Sequence, residues 1–428
     1  MHLAMRLVIY LFAALIYLMG QRISKSILHP IRIFIIFWLA LIVIAISCWD
    51  IGYPWNGSGL LWIEASLFFT ETGALVVTNG QRQICTRNKS ENGNYDYGVY
   101  NWIIYYMILS LSFLSVALTL SVNGFHLFDI RSFDSLLSVS SEMTHRRYFT
   151  GVQTTVIQQI VSIFCSMGVI CAGYAFGYAK EKYHKALCLA SFVPVILSVL
   201  LTTAKSGLIA SVILFLGGWS ISSLRIKGDF ITVGSKLLLK LAGILFGILL
   251  FLYFAMLLRV GEFSEETRKI IYDKFFVYAF GEMVEFDGWF AGGRDFHLYQ
   301  MGSNTYMVLP RMLGLVERVS GVYPTYVKDY GNVFTAFRGI IADFGLFGGL
   351  IYSFFRGFIT QNCCNAIGRR PAMCYFAMTL VACQYFFGLY GFIISPWIYT
   401  TYVLGMLGFL LFMPLFDRGV RFGRTRCG

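Results

Sequence analysis

Long apolar runs separated by short polar linkers make up most of the chain. Eleven of these runs approach the roughly 20 residues that a helix needs to cross the hydrocarbon core of a membrane. The predicted spans are 3–20, 33–50, 59–79, 101–121, 152–177, 186–202, 207–223, 237–257, 338–357, 373–391 and 394–416. The third contains Glu64 and Glu71, so a surface or re-entrant segment is the alternative there. The pattern predicts an all-α integral membrane protein with about 11 transmembrane helices.

Composition agrees with that fold class. Hydrophobic residues make up 57% of the 428 residues and charged residues 13%, with a mean hydropathy of +0.67, which is more apolar surface than a soluble domain can bury. The net charge of +12 comes mainly from Lys and Arg in short linkers, a pattern typical of membrane topology and not of nucleic-acid binding. The cysteines show neither CxxC nor Cys/His ligand spacing, so neither a disulfide nor a metal site is predicted.

The positions of the basic linkers predict the orientation of the chain. Six clusters of Lys and Arg fall on one side of the membrane if there are eleven spans, and that side is then cytoplasmic. The amino terminus is outside and the carboxyl terminus inside. We therefore predict an N-terminal transmembrane region (1–257), a large periplasmic loop (258–337), and C-terminal transmembrane helices with a cytoplasmic tail (338–428).

The large outer loop carries a helix signal followed by a Gly-rich turn. Ser264 is a typical N-cap residue, and Glu265 and Glu266 after it favour the positive end of a helix. The sequence GGRDFH at 292–297 then places two glycines before a cluster of polar side chains. An amphipathic helix joined to such a turn predicts a lid that lies along the membrane surface.

Basic residues on the outer side are the candidate ligands of an anionic lipid headgroup, because Lys and Arg usually accumulate on the inner side. They are Arg146, Arg147, Lys205, Arg294, Arg311 and Arg338. Arginine binds a diphosphate bidentately, and fixed cations would stabilise a diphosphate that leaves as an anion. The alternative for any single residue of this set is a purely structural role, in which the aliphatic part of the side chain lies in the membrane and the charge extends to water at its boundary.

Three residues are candidates for acid–base chemistry. If the lipid diphosphate carries a sugar that is transferred, the attacking hydroxyl of the acceptor sugar needs a base nearby. His297 or Asp295 in the outer loop could serve as that base. Asp343 is a third catalytic candidate, with an ion pair to Arg338 as the alternative. Aromatic rings available to stack on sugar faces are those of Trp289, Phe290 and Tyr306.

The stretch GNVFTAFRGIIADFGLFGGLIY (Gly331–Tyr352) joins the outer loop to the ninth predicted span. It is similar to the Asn-x-x-Thr…Arg…Asp-Phe-Gly…Gly pattern of the Wzy-type polymerases, which make O-antigen, capsule and exopolysaccharide. The segment VYAFGEMVEFDGWF, a Gly-x-Asn-Thr turn at 302–305 and the TTAKSG turn at 202–207 strengthen the resemblance. Gly345, Gly348 and Gly349 within the stretch predict close helix packing.

This resemblance implies a metal-free and cofactor-free glycosyltransferase of the bacterial inner membrane, with a GT-C-like helical arrangement. Its substrates would be undecaprenyl-diphosphate-linked glycans, its surroundings membrane lipids, and a chain-length regulator is a candidate partner; no nucleic acid is expected. Lys205 stands where relatives often carry Arg, which weakens bidentate binding at that turn. The alternatives are an O-antigen ligase with the same donor, and a flippase or other transporter of lipid-linked oligosaccharides.

Overall fold

A computed structural model describes residues 3–47, 55–85, 102–129, 131–146, 155–202, 206–232, 265–293, 302–306, 313–314, 335–367, 374–390 and 396–416, with single residues at 234, 239, 243, 247, 250, 253 and 296. Helices form nearly all of this part of the chain, and it contains no strand. They are α1 (Leu3–Gly20), α2 (Pro30–Ser47), α3 (Ser58–Cys85), α4 (Trp102–Val122), a 3₁₀ turn (Leu127–Asp129), α5 (Phe133–His145), α6 (Val156–Tyr178), α7 (Lys182–Ala190), α8 (Phe192–Thr202), α9 (Ser206–Lys227), α10 (Glu265–Ala291), α11 (Ala336–Ile367), α12 (Cys374–Leu389) and α13 (Pro396–Phe416).

Eight segments of the described chain are long and apolar enough to cross a membrane. They lie in α1, α2, α3, α4, α6, the α7–α8 pair, α9 and α11, and they coincide with eight of the predicted runs, including the third. The tenth and eleventh predicted spans correspond to the shorter apolar helices of α12 and α13. The eighth, at 237–257, lies largely outside the described residues. The chain is therefore an α-helical, multi-pass membrane protein.

The helices group into two compact units. The first comprises Met1–Asn92, Lys269–Arg369 and Phe387–Thr400, and the second Gly93–Arg268, Arg370–Phe386 and Thr401–Gly428. The first unit thus contains α1, α2, α3, α11 and most of α10. The second contains α4 to α9, most of α12 and most of α13.

In the first unit, α3 and α11 pack closely and run in the same direction. Ser66 Oγ lies 2.7 Å from Ser353 Oγ, and a Cβ at Gly357 would overlap the carbonyl oxygen of Thr70. At one end of this contact, a Cβ on Gly349 would lie 2.9 Å from the Trp62 ring. Small residues thus let the two backbones meet, as predicted for Gly349. The parallel direction is the one that the predicted topology requires of the third and ninth spans.

Gly345 divides α11 into two helical segments. Its φ of 71° and ψ of 178° lie in a region of backbone conformations that is open almost only to glycine. The prediction that Gly345 serves close packing therefore misses its main role, which is to permit the break. Asp343 lies in the last turn of the first segment, two residues before the break, and binds the turn 302–306 there.

We expect Gly345→Ala to destabilise the protein by about 1–3 kcal/mol, since alanine would be strained in this conformation. Thermal unfolding of purified protein in lipid nanodiscs measures the effect. The control is Gly207→Ala, because a Cβ there would meet only ordinary contacts, the nearest being 3.6 Å from Tyr402 Oη. Equal unfolding temperatures for wild type and Gly345→Ala would show that the break is not built into the folded state.

The last turns of α10 are buried within the first unit. Every residue from 281 to 287 is buried, including Glu282, Glu285 and Asp287. A helix that lay along a membrane surface would expose one face throughout, so this part of α10 differs from the predicted surface lid. Burial raises the pKa of Glu282 well above its ordinary range. The carboxyl-terminal half of α10 is therefore part of the core.

In the second unit, glycines let α6 and α9 pack closely, and polar side chains of α4 and α9 form hydrogen bonds with α6. A Cβ at Gly218 would overlap the carbonyl oxygen of Ile170. Ser112 of α4 donates to the carbonyl of Phe164 at 2.8 Å, and Arg225 Nη1 donates to Tyr174 Oη at 2.6 Å. The second unit therefore has its own tightly packed helical core.

Candidate functional site

Asp343 holds a turn of the loop that precedes α11. Its carboxylate is only 2% exposed and accepts the backbone N–H of Asn304 at 3.1 Å, the Asn304 side-chain amide at 2.9 Å and the N–H of Thr305 at 2.6 Å. The turn is closed by the N–H of Tyr306, which donates to the carbonyl of Gly302 at 2.8 Å. These bonds use most of the acceptor capacity of the carboxylate. We therefore expect Asp343 to position this turn and not to act as a catalytic base.

Asp287 performs the same task at the start of α3. It accepts the backbone N–H groups of Asn56 at 2.6 Å, Gly57 at 2.9 Å and Gly59 at 2.9 Å. A carboxylate that receives the free N–H groups at a helix start stabilises that start. Burial raises the pKa of Asp287, and the N–H donors of Gly57, Asn56 and Gly59 oppose that rise. Sequence reasoning did not single out Asp287, although it lies in the quoted segment VYAFGEMVEFDGWF.

Arg338 is a buried cation that rests on an aromatic ring. Only 4% of the residue is exposed, and its guanidinium carbon lies 5.0 Å from the centre of the Trp289 ring. Its backbone N–H donates to the carbonyl of Thr335 at 3.3 Å, which fixes the first turn of α11. A guanidinium is weakly hydrated and stacks well on indole, so this environment suits Arg better than Lys. Trp289 is therefore a platform for Arg338, and being fully buried it is not the exposed sugar-stacking ring that was predicted.

An aromatic cluster surrounds the first turn of α11. The Phe337 ring centre lies 4.8 Å from that of Trp38, 6.1 Å from that of Trp62 and 6.4 Å from that of Phe286. Phe286 in turn lies 5.7 Å from Trp289. The cluster therefore joins α2, α3, α10 and α11 beneath Arg338. We call these rings together with Arg338 and Thr335 the arginine pocket.

Three hydrogen-bonding groups of the arginine pocket have no partner among the described residues. They are the indole nitrogens of Trp62 and Trp289 and the hydroxyl of Thr335, all buried. An indole N–H can only donate, and an unmet buried donor costs about 1–3 kcal/mol. A ligand that brought oxygen acceptors to these groups would satisfy them. The chemistry of the pocket therefore favours an anionic or hydroxyl-rich ligand.

A second aromatic group lies at the break in α11. The Phe344 and Tyr352 rings stack at 5.4 Å, and Tyr306 meets Tyr352 edge-on at 6.2 Å. Tyr306 is 48% exposed, so part of its ring is open to a ligand. Of the rings predicted to stack on sugars, Tyr306 is accessible, whereas Phe290 is half-buried against Phe286 and Phe296.

The other predicted site residues fall into two groups. Arg146 lies in the second unit, where it donates to Glu142 Oε1 at 2.9 Å and to the carbonyl of Asn123 at 2.7 Å, with Phe125 under its guanidinium. These contacts give Arg146 a structural role at the carboxyl-terminal end of α5. The remaining residues lie outside the described part of the chain: Arg147, Lys205, Arg294, Asp295, His297 and Arg311.

The described residues contain no group of three His, Cys, Asp or Glu side chains that could hold a metal ion. No protein-family profile, curated protein or solved structure matches the chain.

Proposed function

We propose that the protein is a Wzy-type polysaccharide polymerase. It would join undecaprenyl-diphosphate-linked oligosaccharide repeat units at the outer face of a bacterial cytoplasmic membrane. The observation that carries the proposal is the arginine pocket, in which a buried guanidinium lies beside unmet hydrogen-bond donors at the start of a membrane-spanning helix. A lipid diphosphate would bring oxygen acceptors for these donors and a negative charge complementary to the guanidinium.

The proposed reaction is a glycosyl transfer with a diphosphate leaving group. The acceptor hydroxyl attacks the anomeric carbon of the donor, a carbon–oxygen bond forms, and the bond to the diphosphate breaks. Arg338 would stabilise the charge that develops on the leaving group, because its position is fixed before the reaction. His297 or Asp295 would accept the proton of the attacking hydroxyl. Tyr306, anchored through the turn that Asp343 binds, would support a sugar ring.

A direct test uses purified full-length protein in nanodiscs with one defined lipid-linked repeat unit. The proposal predicts a product with two or more repeats and the release of undecaprenyl diphosphate. A protein that forms product only when lipid A core is added would be an O-antigen ligase. Movement of the intact lipid-linked unit across a vesicle membrane without bond formation would identify a transporter instead.

The indole N–H of Trp289 gives a finer prediction. Trp289→Phe keeps a ring under Arg338 but removes the N–H, so we expect polymer formation to fall about 2–10-fold, the value of one neutral hydrogen bond. The unfolding temperature should fall only slightly, because this N–H forms no hydrogen bond with a described residue.

Trp38→Phe is the matched control in the same unit. Trp38 Nε1 donates to the carbonyl of Gly388 at 2.9 Å, so this change should lower the unfolding temperature more than Trp289→Phe does. A Trp289→Phe variant with full polymerising activity would show that its N–H does not meet the substrate.

A further inference from the structure

Two glutamates of α3 are buried inside the first unit, and no described residue forms a hydrogen bond with either carboxyl group. Glu64 and Glu71 are each 0% exposed, and all their carboxylate oxygens are without a partner among the described residues. Both lie in the candidate span Ser58–Asn79. Seven residues of helix separate them by about 10 Å along the axis and place them on the same face. This face differs from the one that carries Ser66 and Thr70 to α11.

The two carboxyl groups have different surroundings. Glu71 Oε1 faces the end of α1, where a Cβ on Gly20 would lie 3.0 Å from it and 3.9 Å from Nε of Arg32. Arg32 is buried on α2 and donates to the carbonyls of Ser24 at 2.8 Å and Lys25 at 3.1 Å. The connection between α1 and α2 thus fixes a positive charge beside Glu71, whereas no described charge is placed beside Glu64.

His29, in the same connection, adds no second positive charge. Burial and the neighbouring charge of Arg32 together lower its pKa to about 3, against the opposing effect of a hydrogen bond with Gln361. His29 is therefore neutral near pH 7. Among the described residues, Arg32 is the cation that acts on Glu71.

A carboxylate without donors in an apolar interior costs several kcal/mol, and such a group takes up a proton instead. We propose that Glu64 and Glu71 are protonated in the membrane, and that Glu71 with Arg32 forms a proton-exchange site next to the α1–α2 connection. In each exchange the O–H bond of Glu71 breaks, its proton passes to water, and the carboxylate is stabilised by Arg32 until a proton returns. Glu64 has no such counter-charge and keeps its proton. The site does not depend on the proposed glycosyl transfer.

Infrared spectroscopy of the full-length protein in nanodiscs at neutral pH tests this proposal. A protonated carboxyl group has a carbonyl stretch that a carboxylate lacks, and ¹³C-labelled glutamate identifies the part that comes from Glu. We expect Glu64→Gln and Glu71→Gln each to remove one carboxyl equivalent of that band. Glu142→Gln should remove none, because Glu142 is exposed and paired with Arg146 at 2.9 Å.

Hydrogen–deuterium exchange of the same band tests the role of Arg32. The Glu71 component should shift in D₂O before the Glu64 component does. Arg32→Gln should slow the Glu71 exchange about tenfold or more, because the intermediate carboxylate loses its neighbouring charge. Arg32→Lys keeps the charge and should preserve most of the rate.

Several outcomes would overturn the proposal. A wild-type spectrum without a ¹³C-sensitive acid band would mean that both groups are ionised, and this result needs no variant to fold. Stabilisation of the wild type by Na⁺ or Mg²⁺ that is lost in both Gln variants would identify a cation site. Exchange of Glu71 that is no faster than that of Glu64, or that is unchanged in Arg32→Gln, would remove the exchange function.

Discussion

Arg338→Ala should reduce polymer formation by about 10²–10³-fold, the usual cost of removing one fixed donor that stabilises a developing anion. The loss follows from the position of the guanidinium, which is buried over Trp289 at the start of α11. The assay is the formation of two-repeat product from a defined lipid-linked unit by protein in nanodiscs. Arg338→Lys should retain a small part of the activity, since the charge remains but the planar stacking and the bidentate geometry are lost.

One control makes this experiment specific. Arg131→Ala is the matched control, because Arg131 is exposed and its described side-chain bond is to the carbonyl of Phe128. It should leave activity unchanged. An Arg338→Ala variant that is correctly inserted, unfolds at the wild-type temperature and polymerises at the wild-type rate would remove Arg338 from the proposed site.

Asp343→Ala should destabilise the folded protein more than any other single change considered. It removes the acceptor of the part-buried N–H groups of Asn304 and Thr305, and each such bond lost to a buried carboxylate costs about 1–3 kcal/mol. Asp343→Asn keeps one acceptor oxygen and should lose roughly half as much. The unfolding temperature in nanodiscs measures the difference.

The control for this prediction is Asp129→Ala. Asp129 also accepts a backbone N–H, that of His126 at 2.6 Å, but on an exposed turn where water replaces the lost bond. Its loss should cost no more than about 0.5 kcal/mol, as is usual for surface changes. Equal losses from Asp343→Ala and Asp129→Ala would contradict the role assigned to Asp343.

Hydropathy is sufficient to locate eight helices that can cross a membrane, because a run of about 20 apolar residues is rarely compatible with any other structure. Even α3 was located correctly, although Glu64 and Glu71 interrupt its apolar pattern. The end of α11 was placed too early, at 357 and not at Ile367, because the polar sequence TQNCCN continues the helix beyond the apolar run. Helix formation depends on backbone bonds and not on hydropathy alone.

The polar contacts of the site were harder to predict. Asp287 binds Gly57, 230 residues away in the sequence, and no local pattern reports a contact of that range. Asp343 and the Gly302–Thr305 turn were both singled out, but as separate parts of one resemblance and not as partners. Arg338 could be identified because basic residues are uncommon on the outer side of a membrane protein, and because it lies in the stretch Gly331–Tyr352 that carries the resemblance. Its platform, Trp289, was assigned to the substrate because sequence alone does not show which face of a ring is covered.

The most direct test of the arginine pocket is equilibrium binding of a polyprenyl diphosphate compared with the matching polyprenyl alcohol, using wild type and Arg338→Ala in nanodiscs. We predict that the wild type prefers the diphosphate and that Arg338→Ala weakens diphosphate binding at least about tenfold, the value of one charge-assisted hydrogen bond, while alcohol binding is unchanged. Equal affinity of the two lipids for the wild type, or an unchanged diphosphate affinity in Arg338→Ala, would contradict the assignment of Arg338 to the lipid diphosphate.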